Sequence, residues 1–437
     1  MSVVIATTRT ACNTSTGNQD ITTTDLGGLT PKAAFFTVTH ATVDGTATDH
    51  AIIGIGAATA TDERWSCSVG SENAQGTTDT DRRGATDECI IKLLAGSASV
   101  DGEADFVSFI TNGVRINWGN APASGFLLTV TLYAGTDLSA KAGISSLSTQ
   151  DNTTDVNTVG FEPDVVFFGT HNTLINDSGY TLAMLSYGVA TNKNPVVQSS
   201  WVWASNNGQA SGTILAQICN NYAFGQCSLT ELSYGCEVGT FDASGFSITS
   251  RLGDASADNV GYLALAFNNV VDFKTGIIDS PTSTGSQSIT DPGFKPQYVN
   301  LGLTQMQAVN TFYTTGLGGS FGISVFDEDN AYCNSYQDED GSGTSNTQCI
   351  SDDTVINLPE DDGTSGHVAA FTSFDTNGWT WNFSATLGTA VKFWYLAIEA
   401  EAAGNIKQLS GVAWASVKKV VGVAEASLKK VAGISAN

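Results

Sequence analysis

One pattern recurs three times at a nearly fixed interval and dominates everything else that can be read. GLTPKAAFF begins at Gly28, GFEPDVVFF at Gly160 and GFKPQYVNL at Gly293, so that Pro31, Pro163 and Pro296 stand 132 and 133 residues apart. FITNGVRINW, FDASGFSITS and FDTNGWTWNF start at Phe109, Phe241 and Phe374 with the same two intervals. Each unit ends on an apolar run: FLLTVTLYA from Phe126, YLALAF from Tyr262, FWYLAI from Phe393. Cys89, Cys219 and Cys349 supply a fourth marker, at steps of 130. The intervals divide the chain into units 1–135, 136–267 and 268–400, followed by a segment 401–437 of another kind. A repeat this long is a whole domain, not a solenoid turn.

Each landmark has a mechanical meaning. Gly-x-x-Pro ahead of an apolar run fixes φ and removes a donor at the entrance to a buried strand. The Asn-Gly, Ser-Gly and Asn-Gly pairs at 112–113, 244–245 and 377–378 read as hairpin turns, with Gly in a φ > 0 position. Alternation follows, in Phe246 and Ile248 or in Trp379, Trp381 and Phe383, and period-two patterning means sheets. No segment before residue 400 carries a helical stripe. The expectation is all-β: three tandem β-sandwich domains, of jelly-roll or related order, each with its own core.

The balance of charge narrows the function classes. The formal net charge is −25, from 18 basic and 43 acidic residues, which argues against wrapping nucleic acid or lying on an anionic membrane. The acidity sits in the body. Of those residues, 13 basic and 41 acidic precede residue 401, leaving −28, while the tail has five lysines against Glu401 and Glu425. The opening MSVVIATTRT has neither a basic start nor an apolar stretch, so no export signal is read there, and no apolar run is long enough to span a membrane.

The tail repeats on its own period, with Gly411, Gly422 and Gly433 spaced by 11. An 11-residue period suits a right-handed helical supercoil, whereas one Gly per repeat suits strands joined by turns; either reading stands. Ile406, Leu409, Val412, Trp414, Val417, Val420, Val423, Leu428 and Val431 cannot form a core alone, so docking or oligomerisation is expected of them.

Chemistry is sparse. His40, His50, His171 and His367 share no repeat position, and no nucleophile elbow, phosphate loop or zinc motif is present. No cofactor is expected. Acidic turns around Asp338 and Asp340 have the oxygen-rich character of a Ca²⁺ loop without its full spacing. Cys67 with Cys89 and Cys333 with Cys349 occupy similar places in the outer units, which suits either two matching disulfides or buried free thiols. Trp65, Trp201, Trp203 and Tyr332 fall in a loop-rich zone, where aromatic faces serve either glycan contact or core packing.

The unit G-F-x-P-x-x-V-x-F, D-x-x-G-F-x-I, Y-L-A-L-A, with its V-K-K-V-x-G-V-A-x-A-S tail, resembles virion structural proteins of tailed bacteriophages. That resemblance implies a non-enzymatic virion component made in a host cytoplasm. A tail-associated or fibre-like appendage with a host-contact role comes first, and capsid decoration second. It implies partners among other virion proteins, copies of itself and host surface glycans, with no nucleic acid and no membrane insertion. A polysaccharide-degrading enzyme using paired carboxylates, or a carbohydrate-binding adhesin, is the rival from another class.

Overall fold

The computed structural model describes residues 3–171, 175–210, 214–227, 231–253, 258–268, 271–313, 319–339, 343–360 and 364–399. Among the described residues, strands make up the secondary structure apart from one 3-10 turn at Thr24–Leu26, and the all-β expectation holds. The nine docking positions of the tail lie outside the described residues, as does Asp340.

Unit 1 contains β1 (Val4–Ala11), β2 (Gly17–Thr22), β3 (Pro31–Thr39), β4 (Thr48–Asp49), β5 (Ala51–Ala60), β6 (Glu63–Ser71), β7 (Thr80–Ala85), β8 (Ile90–Leu94), β9 (Ser97–Ile110), β10 (Gly113–Asn120) and β11 (Leu127–Ala134). Its large sheet runs β1-β11-β3-β5-β6-β7 and its small sheet β2-β10-β9-β8, with every pair antiparallel. The other units repeat both orders strand for strand, from Ser139–Ser146 to Asn259–Ala266 and from Phe273–Asp279 to Lys392–Glu399. First strand beside last, and second beside next-to-last, is jelly-roll order; the middle strands are meanders.

Three of the four sequence landmarks are structural equivalents. Pro31 and Pro296 open matching strands, and Pro163 lies two residues before the third, Val165–Thr170. The closing apolar runs are interior strands of the large sheets. The Gly landmark turns out to have a different cause from the one expected. Gly113, Gly245 and Gly378 begin strands after two-residue turns, and a Cβ there would lie 2.1, 1.9 and 1.9 Å from the carbonyl oxygens of Ile21, Val156 and Ile289 on the neighbouring strand. Close backbone approach, more than left-handed backbone, excludes a side chain. The cysteine landmark fails: Cys89 precedes β8, Cys219 ends the strand Ile214–Cys219, and Cys349 lies inside Thr347–Asp352.

The large sheets are covered on both faces, and this governs the architecture. One face packs on the unit's own small sheet, giving three outer cores around residues such as Phe36 and Trp118, Phe168 and Phe246, and Trp379 and Phe393. The other faces meet in one central core shared by all units, with Phe35 and Trp65 from the first, Phe167, Tyr187 and Trp201 from the second, and Phe321 and Trp394 from the third. Cross-unit contacts fill it: Phe35 to Tyr187 at 5.5 Å between ring centres, Tyr187 to Trp394 at 5.1 Å and Trp201 to Phe321 at 5.7 Å. Three buried tyrosine hydroxyls there find partners across units, with Tyr187 donating to Asn300 Oδ1 at 3.1 Å and the Tyr133 and Tyr298 hydroxyls 3.4 Å apart. Each unit has the core of its own that was expected, and a further, larger core is shared by all three.

Exchanged backbone closes the ring. The strand Gly179–Thr181 of unit 2 pairs with β7 of unit 1, and β4 of unit 1 pairs with Thr347–Asp352 of unit 3. Unit 3 completes the cycle, its Tyr313 exchanging two backbone hydrogen bonds with Ala216 of unit 2 and Asn310 N–H reaching Ile218 O at 2.8 Å. All three segments come from the same loop, between the third and fourth strands of the repeat. The edge strands β7, Thr347–Asp352 and Ile214–Cys219 are thereby covered, one in each large sheet, which blunts edges at which open sheets aggregate.

Candidate functional site

The three junctions are built alike, and the feature that differs is a groove between units 2 and 3. At the first junction Lys141 Nζ meets Glu63 at 2.5 Å, and Thr59 donates to the same carboxylate. At the closing junction Thr7 donates N–H and hydroxyl to Asp327 Oδ2 at 2.7 and 2.8 Å. Arg9 reaches Asp352 O at 2.6 Å and covers the Tyr332 ring at 4.5 Å. Between units 2 and 3 the turn at 192–196 is longer, and about 600 Å³ of space opens along Phe161, Glu162, Asp164, Asn192, Lys193, Asn268, Asp272 and Phe273. A second hollow of about 310 Å³, with Val197, Pro292 and Phe294, shares Lys193, Asp272 and Phe273 with it.

The groove is acceptor-rich and organised around one cation. Lys193 Nζ lies 2.7 Å from Asp272 Oδ1 and 4.0 Å from the centre of the Phe273 ring, a combination that fixes an otherwise mobile side chain. Glu162 accepts from Asn192 Nδ2 at 2.9 Å, and Asp164 Oδ2 accepts from Phe267 N–H at 2.6 Å. Burial raises the Asp164 carboxyl above its usual range, a shift that the Phe267 bond opposes. Glu399 binds Asp272 by two hydrogen bonds, of 2.7 and 2.9 Å, so the last described strand ends beside the groove. Each of these carboxylates has its own partner in the groove wall. The site can bind hydroxyl- or amine-bearing groups.

A second cluster lies where unit 2 adds its strand to unit 1. Asp87, Glu88 and Asp177 offer ligand oxygens within 4.8 Å of one another, the arrangement best able to hold a metal among the described residues. Asp177 is fixed by Thr86, whose N–H and hydroxyl donate to it at 2.9 and 3.2 Å. Burial and the Asp87 neighbour push Glu88 up to about 8, while the hydrogen bond from Glu88 holds Asp87 below its usual value. A proton shared between the two accounts for both directions.

No family model, curated protein or solved structure matches the chain.

Most candidates read from the sequence lie elsewhere and do other work. Trp65, Trp201 and Trp203 are buried in the central core, out of reach of any glycan. Trp65 crosses from unit 1 into a slot of unit 2, where a Cβ on Gly169 or Gly261 would meet its ring at 2.5 or 2.2 Å, and its Nε1 donates to Tyr262 O at 2.9 Å. Tyr332 is half-buried beneath Arg9. The disulfide pairing is corrected too. Cys67 and Cys349 face the central core while Cys89 and Cys333 face outer cores, so a sheet separates the members of each pair, and all eight cysteines are buried free thiols. Desolvation raises their pKa values and keeps them protonated. Asp338 is buried at the end of the strand Ala331–Asp338, which does not suit an open calcium loop. The groove was missed because its residues come from loops of two units, and in the cluster Asp177 lies 89 and 90 positions from Glu88 and Asp87, across a strand exchange. The one available signal was the lengthened turn at Lys193.

Proposed function

We propose that the chain is a non-enzymatic structural component of a virus particle of the tailed-phage kind, an appendage of tail-associated or fibre type with a host-contact role. The observation that carries this reading is the closed ring of three fused sandwiches: a trimer in covalent form, with one edge of each large sheet capped by a neighbouring unit and one apolar core through all three units. A protein that must persist outside a cell benefits from such closure, since exposed edges and locally unfolding loops are where proteases and aggregation begin. Rigid strands also present loops at fixed positions, so weak contacts are multiplied by copy number. Host glycans would then meet the groove at Lys193 and Asp272, not the tryptophans, and residues 401–437 would join the ring to neighbouring virion proteins.

Proteomics of density-purified particles tests the reading. Peptides of this chain are expected at a fixed ratio to the major shell protein; recovery from the soluble cell fraction alone contradicts it. Deleting 401–437 is expected to abolish incorporation, and normal copy number without it removes the docking role. Capsid decoration is a second reading, favoured by the near-threefold symmetry of the ring, which matches a threefold position on a shell. Gold-labelled antibody on heads instead of tails would select it.

A further inference from the structure

Unit 1 carries a buried lysine where its sister units do not. Lys92 is the third residue of β8, the place held by Gln226 in unit 2 and Leu358 in unit 3. Its Nζ lies 2.8 Å from Asp101 Oδ2, and the two side chains are only 1% and 6% exposed. The ammonium also lies 3.7 Å from the centre of the Phe126 ring and 3.1 Å from Leu93 O, while Ala123 N–H donates to Asp101 Oδ1 at 3.2 Å. His40 packs on the same Phe126 ring at 4.7 Å, and its Nδ1 has no hydrogen-bond partner among the described residues. Burial lowers the Lys92 amine, and it lowers His40 to about 3, so the imidazole beside the pair is a neutral base.

Sealing an ion pair from water is costly, and the attraction between the charges offsets that cost only in part. The same contact is a reaction geometry: an amine held against a carboxyl group, without water, and with the orientation fixed by the surrounding sheet. We propose that Lys92 and Asp101 are joined by an isopeptide bond in the mature protein. The Lys92 Nζ–Asp101 Cγ bond forms and the Cγ–Oδ2 bond breaks. The ammonium gives up two protons, both of which leave with that oxygen as water. The charges cancel, and no oxidant or co-reactant is needed. The product replaces two buried charges with one neutral amide and ties β8, the edge strand of the small sheet, to β9. Exclusion of water from the site opposes hydrolysis.

Mass spectrometry of the full chain tests this directly. The mass expected is about 18 Da below that of the sequence, one water, and a digest cut between Leu93 and Val100 is expected to keep the Lys92 and Asp101 peptides linked. Lys92→Arg, which retains the cation, is expected at its full sequence mass. A wild-type chain at full mass overturns the proposal. So does the same loss with the two peptides separable, since dehydration within Asp101–Gly102 alone would give that result.

Discussion

Gly245 shows what a single residue controls in this fold. With Val156 O 1.9 Å from where its Cβ would be, Gly245→Ala is expected to cost about 1–3 kcal/mol by overpacking, read as a lower urea midpoint. Gly113→Ala and Gly378→Ala are expected to do the same, because the obstructing carbonyl is equivalent in all three units. Titration gives a second test, with two opposite signs. Burial lowers His171 to about 3, so unfolding takes up a proton between that value and 6.5; stability is complete above 6.5 and falls on acidification through this window, by about 1.4 kcal/mol per pH unit for each such histidine. Glu88 behaves in the reverse sense. Its folded value is about 8 against an ordinary 4.5, so stability is lost as pH rises from 4.5 to 8, and Glu88→Gln is expected to raise the midpoint at pH 8 and leave it nearly unchanged at pH 4.5.

At the scale of elements, the sequence carried the strands that are long and repeated. The proline-led strands, the Gly-led strands and the closing apolar runs were legible because buried strands must be apolar or alternating, and a repeat displays the constraint three times. The cysteine spacing misled: equal intervals in sequence do not survive loops of unequal length, and only hydrogen-bond register decides equivalence. The ring-closing pieces were not legible, since β4 and Gly179–Thr181 are two and three residues long and take their stability from an edge in another unit. Replacing residues 44–49 with a Gly-Ser segment of equal length uncovers the edge Thr347–Asp352. The expected result is lower stability, by about 1 kcal/mol for each backbone hydrogen bond lost, together with self-association in light scattering; an unchanged monomer would show that edge capping is unimportant.

At the scale of the whole molecule, the sequence indicated three sandwiches but not how they sit together. Burial on both faces of a large sheet looks the same in sequence whether the second cover comes from the same unit or from a neighbour, and the tryptophans that fill the centre look like those of any binding loop. The groove is a product of that assembly and so shares its illegibility. What the repeat did supply was the comparison that makes Lys193, Lys92 and Asp177 stand out, as departures from a common frame. The claim on which the rest depends is that the three units are one cooperative body around a shared core. Calorimetry of residues 1–400 beside the isolated unit 136–267 measures it most directly. One transition is expected for the longer chain, with calorimetric and van 't Hoff enthalpies equal, and no cooperative transition for the isolated monomer. Three separable transitions, or an isolated unit melting where the full chain melts, would contradict it.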